Sequence, residues 1–209
     1  MRLAVSSLLL GLTAASCAAP RVNLFGQVAA FSADEYFDHL AAWTRKGEAY
    51  EHFESRAFMW ATFRSWPLRQ AQIAHRIASE RLGEADAAAL RTTEHRESDE
   101  ANDFFVAVHT NQWDWNHLED TRDTALWRLR LVNDQGDSVA PVSVVRLGTA
   151  DARFTTLYPF YEGFYVGYLV RFPRKAPSGA DLLRPGVGRF GLRLAGPQAA
   201  IDLEWEVAR

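Results

Sequence analysis

The chain has 209 residues, of which 48% are hydrophobic and 23% charged. These are ordinary globular values, enough for a sizeable core in one domain or two small ones. Its 23 Lys and Arg are outnumbered by 26 Asp and Glu, for a formal charge of −3. That balance lacks the basic face a nucleic-acid binder needs, and excludes nucleic acid as a partner.

The first element is a targeting segment. Met1-Arg2 is a short basic start, Leu3 to Leu12 is an apolar run, and Thr13 to Ser16 are small residues. This is the layout of a secretory signal peptide over residues 1–16, with an apolar run too short to span a bilayer. Its removal takes away Arg2 and moves the formal charge from −3 to −4. Cys17 follows and is the single cysteine, so no disulfide can close within the chain.

Ala14-Ala15-Ser16-Cys17 resembles the lipobox of bacterial lipoproteins, in which the cysteine is acylated and becomes the new N-terminus. The family favours Leu where this chain has Ala14, whereas Ala15 and Ser16 fit its small-residue pattern. The resemblance covers only the first 20 or so residues. It implies a palmitate-type anchor on Cys17 and a membrane as the first partner. Ala18 stands where lipoproteins kept in the inner membrane commonly carry Asp, which favours the outer membrane, facing the periplasm.

Residues 17–31 read as a lipidated tether without periodicity, and 32–100 as a helical region of three to four helices. Ser32-Ala33-Asp34-Glu35 is a capping box. Tyr36, Phe37, Leu40, Ala41, Trp43 and Thr44 follow at helical spacing up to Gly47. Tyr50, Phe53, Ala57, Trp60 and Phe63 predict a second helix. Trp66-Pro67 interrupts it and starts a third, from about 67 to 82, stopped by Gly83. A fourth, more polar helix runs from Glu84 to about Arg96. The charge-dense Glu94 to Glu100 reads as a boundary.

From Ala101 the period changes to two. Phe104, Val106 and Val108 alternate with Phe105, Ala107 and His109, and Trp127, Leu129 and Leu131 with Arg128 and Arg130. Short runs at 142–147, 154–160 and 164–172 follow, the rhythm of a half-buried antiparallel sheet. In the last hairpin Gly196-Pro197-Gln198-Ala199 is the turn. That register sets Arg193 opposite Asp202, Arg189 opposite Glu206 and Phe190 opposite Trp205. The expected fold is therefore α+β: an N-terminal helical segment, then an antiparallel immunoglobulin-like β-sandwich over 101–209.

Chemistry is sparse. The six histidines form no metal-binding motif. The loop residues Asp114, Asn116, Asp120 and Asp123 fail the EF-hand pattern, for Leu118 takes a ligand position and the required glycine is missing. There is no Gly-x-Ser-x-Gly elbow. Gly186-Val187-Gly188-Arg189-Phe190-Gly191 leads into a strand, not into the helix a phosphate loop needs. No motif requires a metal or a cofactor. The aromatic loops are the remaining candidates, with Trp113, Asp114, Trp115 and Tyr161 as a possible partner-binding set at the sandwich end. The sequence thus reads as a membrane-anchored envelope lipoprotein with a non-catalytic binding or structural role, toward a protein or another envelope component. The alternative is an envelope hydrolase gathering His109, His117 and nearby acids.

Overall fold

Residues 19–25, 31–149 and 151–208 are described by the structure, a computed structural model; the leader and Cys17 lie outside them. Local signals start the helices. Ser32 and Glu35 form the capping box, which opens a 3-10 turn running into α1 (Tyr36–Trp43). Ser65 caps α2 (Trp66–Ser79), its hydroxyl accepting from the Leu68 N–H. Gly83 precedes α3 (Glu84–Glu100).

Among the described residues, nine strands form two antiparallel sheets. One holds β1 (Thr44–Glu51), β2 (Glu54–Phe63), β3 (Ala101–Thr110), β7 (Val166–Pro173) and β6 (Ser143–Thr149), in that order. The other is ordered β5 (Ser138–Val139), β4 (Arg128–Asn133), β8 (Arg189–Ala195), β9 (Ala200–Glu206). The α+β class and the paired antiparallel sheets are as expected. β1, β2 and β3 are neighbours in one sheet, with α2 and α3 in the connection from β2 to β3.

The expected helix over 50–63 is instead most of the β1–β2 hairpin. Its residues satisfy both periods at once. Ala57, Met59, Ala61 and Phe63 are buried on one face of β2, while the larger Phe58 and Trp60 stand on the other. Small alanines on the inner face masked the alternation, and pairing with β3, Phe63 opposite Phe104 to Ala57 opposite Thr110, settles it. The region 32–100 is therefore not wholly helical, and its hairpin shares a sheet with the C-terminal strands. The run at 154–160 is also not a strand; it holds the short α4 (Ala152–Thr155) and turns. The presumed boundary at 94–100 is the end of α3, which passes straight into β3.

β3 is central and buried on both faces rather than half-buried. Its inner face meets the second sheet through Phe104, which packs with Phe63, Phe172 and Trp205. On its outer face Phe105 stacks on Tyr158, 3.8 Å between ring centroids, beneath Phe154, Phe160 and Tyr161. The sheets come together where β1 crosses β9. A Cβ on Gly47 would lie 2.4 Å from Ile201 Cγ2, so the close approach requires glycine there. The stretch read as tether is partly folded: Val22 is buried, donates to Glu206 O at 2.8 Å and accepts from the Ala208 N–H at 2.8 Å.

α3 is docked by charge, for its buried residues are only Ala87 and Glu94. Arg69 of α2 is fully buried. Its guanidinium donates to Glu94, to Glu97 at 3.3 Å, to Asp103 of β3 at 2.6 Å and to the Arg64 carbonyl at 3.0 Å. Arg64 adds a second donor to both Glu94 oxygens, at 3.0 and 3.2 Å. Arg171 of β7 reaches Asp103 at 3.0 Å.

Candidate functional site

One end of the five-stranded sheet collects exposed aromatic side chains. The β1–β2 turn is there, because Glu51 pairs with Glu54 and leaves a two-residue loop, His52-Phe53. The end of β3 lies beside it: Phe58 pairs with His109, and Asn111 donates to the Arg56 carbonyl at 3.2 Å. Residues 162–165 arrive at the same end, since Val166 pairs with Val108. Tyr50 (59% exposed), Trp113 (57%), Phe164 (76%) and the fully exposed Phe53 project from these three segments.

Phe53 is held at φ 74 and His52 at φ 49. Such two-residue turns favour Asn-Gly, and a bulky side chain in the left-handed region costs about 1–2 kcal/mol. The chain carries that strain to place a phenyl ring in water at a hairpin tip, where no described residue packs over it.

The ground beneath is ordered. Phe58 stacks with His109, and His109 meets Tyr165 edge-on. His109 Nδ1 lies 3.0 Å from Phe164 O, and the Trp60 indole donates to the Tyr165 hydroxyl at 3.3 Å. Tyr50 donates to Glu48 at 2.7 Å, and Lys46 lies 2.5 Å from the same carboxylate. Lys46, and then Tyr50, hold the Glu48 carboxyl below its usual range. Exposed Glu51, Glu54, Asp114 and Glu162 outnumber Arg56, which pairs with Glu51 at 2.8 Å and Glu54 at 3.4 Å, and leave this end an acidic rim.

Trp113 stands on a one-turn 3-10 helix, Trp113–Trp115, that is pinned from below. The buried Asn116 donates to Val108 O at 2.7 Å and accepts from the Tyr168 hydroxyl at 2.8 Å. Burial pushes the Tyr168 phenol up. Arg146 donates to Asn116 O at 2.9 Å and to Glu119 at 3.0 Å, with its guanidinium carbon 6.0 Å from the Trp113 ring centre. Burial alone would raise the Glu119 carboxyl, but His117 and Arg146 outweigh it and hold it low.

Of the residues singled out in the sequence, Trp113 and Asp114 are exposed here, and Trp115 is half-buried with its carbonyl accepting from Trp127 at 2.6 Å. Tyr161 is not available to a partner. It is buried over Gly167, whose missing Cβ leaves room for the ring, and donates to Gly148 O at 2.7 Å. Cys17 lies outside the described residues. His109 and His117 are not gathered: the first contacts Phe58, Tyr165 and Phe164, the second Glu119 and Arg146. The Asn116 oxygen is occupied by Tyr168, and Asp120 is clamped by Arg122 at 2.8 and 2.9 Å. Among the described residues no three His, Cys, Asp or Glu are placed to hold a metal ion. Phe164 belongs to the aromatic loop stretch that the sequence offers, whereas Tyr50 and Phe53 were missed, because the helical spacing assigned them to a buried stripe. The one local sign was an apolar residue set between Glu51-His52 and Glu54. Comparison of the chain with protein-family models, curated proteins and solved structures finds no match.

Proposed function

We propose that the chain is an envelope lipoprotein, anchored through Cys17 to the outer membrane and facing the periplasm, that binds a protein partner through its aromatic end without catalysing a reaction. The observation that carries the binding role is Phe53, fully exposed and strained at a hairpin tip beside Tyr50, Trp113 and Phe164. Aromatic anchors within a charged rim are the composition of protein-binding hot spots. The acidic rim favours a partner with basic side chains around its pocket.

The layout is consistent with anchoring. Four residues separate Cys17 from Val22, a span of five residue steps, so a lipid on Cys17 would hold the body within about 18 Å of the bilayer surface. β1 starts beside that point: Arg45 donates to Glu204 O at 2.9 Å and to Pro20 O at 2.9 Å. It then runs the length of a strand to the hairpin tip, roughly 25 Å away. The binding end would thus project from the anchor side. No described helix is long and apolar enough to cross a membrane.

Two measurements test the reading. Intact mass and membrane fractionation beside Cys17→Ala should show an acylated chain beginning at Cys17, and loss of the acyl mass in the variant; an unmodified wild-type chain overturns the anchor. A photo-cross-linker at position 53 or 164 should give one dominant product in cells, lost on Trp113→Ser. A linker on the second sheet, at Arg193, should give none. Equal labelling from all three positions overturns the binding end.

A further inference from the structure

A second feature lies on the helices, apart from the aromatic end. Between α2 and α3 runs an open trough of about 950 Å³. Small-molecule sites commonly measure roughly 300–1,000 Å³. Its floor is one stripe of α2: Trp66, Gln70, Ile73, Ala74 and Ile77 share a helix face. Phe31 adds to this apolar side, and Trp66 meets His95 edge-on, 4.8 Å between ring centroids.

The opposite wall is α3, which offers Arg91, Thr92, His95, Arg96 and Asp99 and no large apolar side chain. Two helices in contact ordinarily interdigitate apolar side chains. Here α3 is held from its other edge by Glu94 and Glu97 on Arg64 and Arg69, so among the described residues the α2 stripe, apart from the buried Ile73, is only partly covered. The result is a hydrocarbon floor against a polar wall.

The wall has a charged end. His95 Nδ1 lies 3.0 Å from Asp99 and Arg96 pairs with Glu100 at 3.8 Å, so the turn beside Trp66 holds no cation without a carboxylate. Arg91, one turn earlier, is exposed and makes no ion pair among the described residues. The Gln70 Oε1 is shielded from solvent, and no donor meets it among the described residues.

We infer that the trough binds a monoacyl anionic lipid. In the antiparallel pair Trp66 faces His95, so Arg91, one turn before His95, stands about level with Gln70, where it takes the head group. The acyl chain runs from there over Ala74 and Ile77. The uncompensated cation chooses an anionic head, and the single apolar stripe suits one chain.

Calorimetric titration with dodecanoate tests this. The chain from Ala18 onward keeps every described residue and carries no attached acyl group to compete. Saturable one-to-one binding is expected, with dodecyltrimethylammonium at least about tenfold weaker. Ala74→Trp, which fills the trough, should weaken dodecanoate by about tenfold or more, and Arg91→Ala by about fivefold. Ile77→Glu, on the half-exposed rim, is a second block should Ala74→Trp disturb folding, judged by circular dichroism. Phe53→Glu should bind dodecanoate as the wild type does. Absence of saturable binding, equal binding of the cationic analogue, or binding that survives both blocks overturns the assignment. A trough that instead takes an amphipathic peptide would give the first of these results. None of these outcomes alters the reading of the aromatic end.

Discussion

The indole of Trp205 lies parallel to the ring of Phe190, 5.2 Å between centroids and 4° between planes, and the two residues face each other across the β8–β9 hairpin. Both are fully buried, and the Trp205 N–H donates to Trp43 O at 2.9 Å. The pair therefore joins the last hairpin to the end of α1. Phe190→Ala removes a large ring from a packed core and leaves a cavity beside Phe63 and Trp205. It should cost about 3–5 kcal/mol in urea unfolding. Its wet-face neighbours matter far less. Arg193 and Asp202, 3.4 Å apart and exposed, should show a coupling below about 1 kcal/mol in a double-mutant cycle.

Phe53→Gly should raise stability by about 1 kcal/mol while abolishing cross-linking from the aromatic end. The phenyl ring is fully exposed, so its removal forfeits no burial, and glycine adopts the left-handed conformation without strain. Thermal melting checks the first half and the cross-linking assay the second. A stabilised variant that still binds its partner would show that the strained tip is incidental.

Arg69→Ala should be far more damaging than its single position suggests. It strands Glu94 and Asp103, both buried carboxylates, without their main cation. Breaking such a buried cluster typically costs about 3–5 kcal/mol. Because α3 has almost no apolar contact, its amides should lose hydrogen-exchange protection before those of β3. Uniform loss across both elements would contradict the charge-docked description of α3.

Asp120 supplies a pH signature. Its hydrogen bond from the Arg122 side chain, reinforced by the Arg122 N–H, brings the carboxyl down to about 2 from an ordinary 3.8. A folded-state value below the unfolded one stabilises above the unfolded value, and the contribution is lost as pH falls from about 4 through 2. An NMR titration should find the Asp120 midpoint near 2 and its return toward 3.8 in Arg122→Ala. The same midpoint in both proteins would remove Arg122 as the cause.

The aromatic end was half legible. Trp113 and Asp114 stood out because an aromatic-acidic run between strands is a loop signal. Tyr161 belonged to a similar run, yet a turn in which its N–H bonds Tyr158 O at 2.8 Å tucks it over Gly167. Burial of that ring depends on a glycine in β7 and a carbonyl at the end of β6, which no local pattern shows.

What the sequence by itself determined was whatever is decided within about twenty residues. The β8–β9 register followed from turn chemistry, core alternation and cross-strand charge agreeing on one pairing: Arg193 opposite Asp202, Phe190 opposite Trp205, and Arg189 opposite Glu206. Even there the ion partners shifted, since Arg189 meets Glu204 at 3.5 Å while Glu206 turns to Arg21. The capping box at Ser32 and the start of α2 after Ser65 were local in the same sense. Only the tertiary structure decided that 44–63 is a hairpin. Its side chains fit a helix or a strand, and the choice rests on backbone pairing with β3, about forty residues further along the chain. The docking of α3 by buried charge, and the gathering of Phe53, Trp113 and Phe164 at one edge, depend on the same kind of long-range pairing. Local propensity spans a few kcal/mol at most, and contacts between distant segments outweigh it.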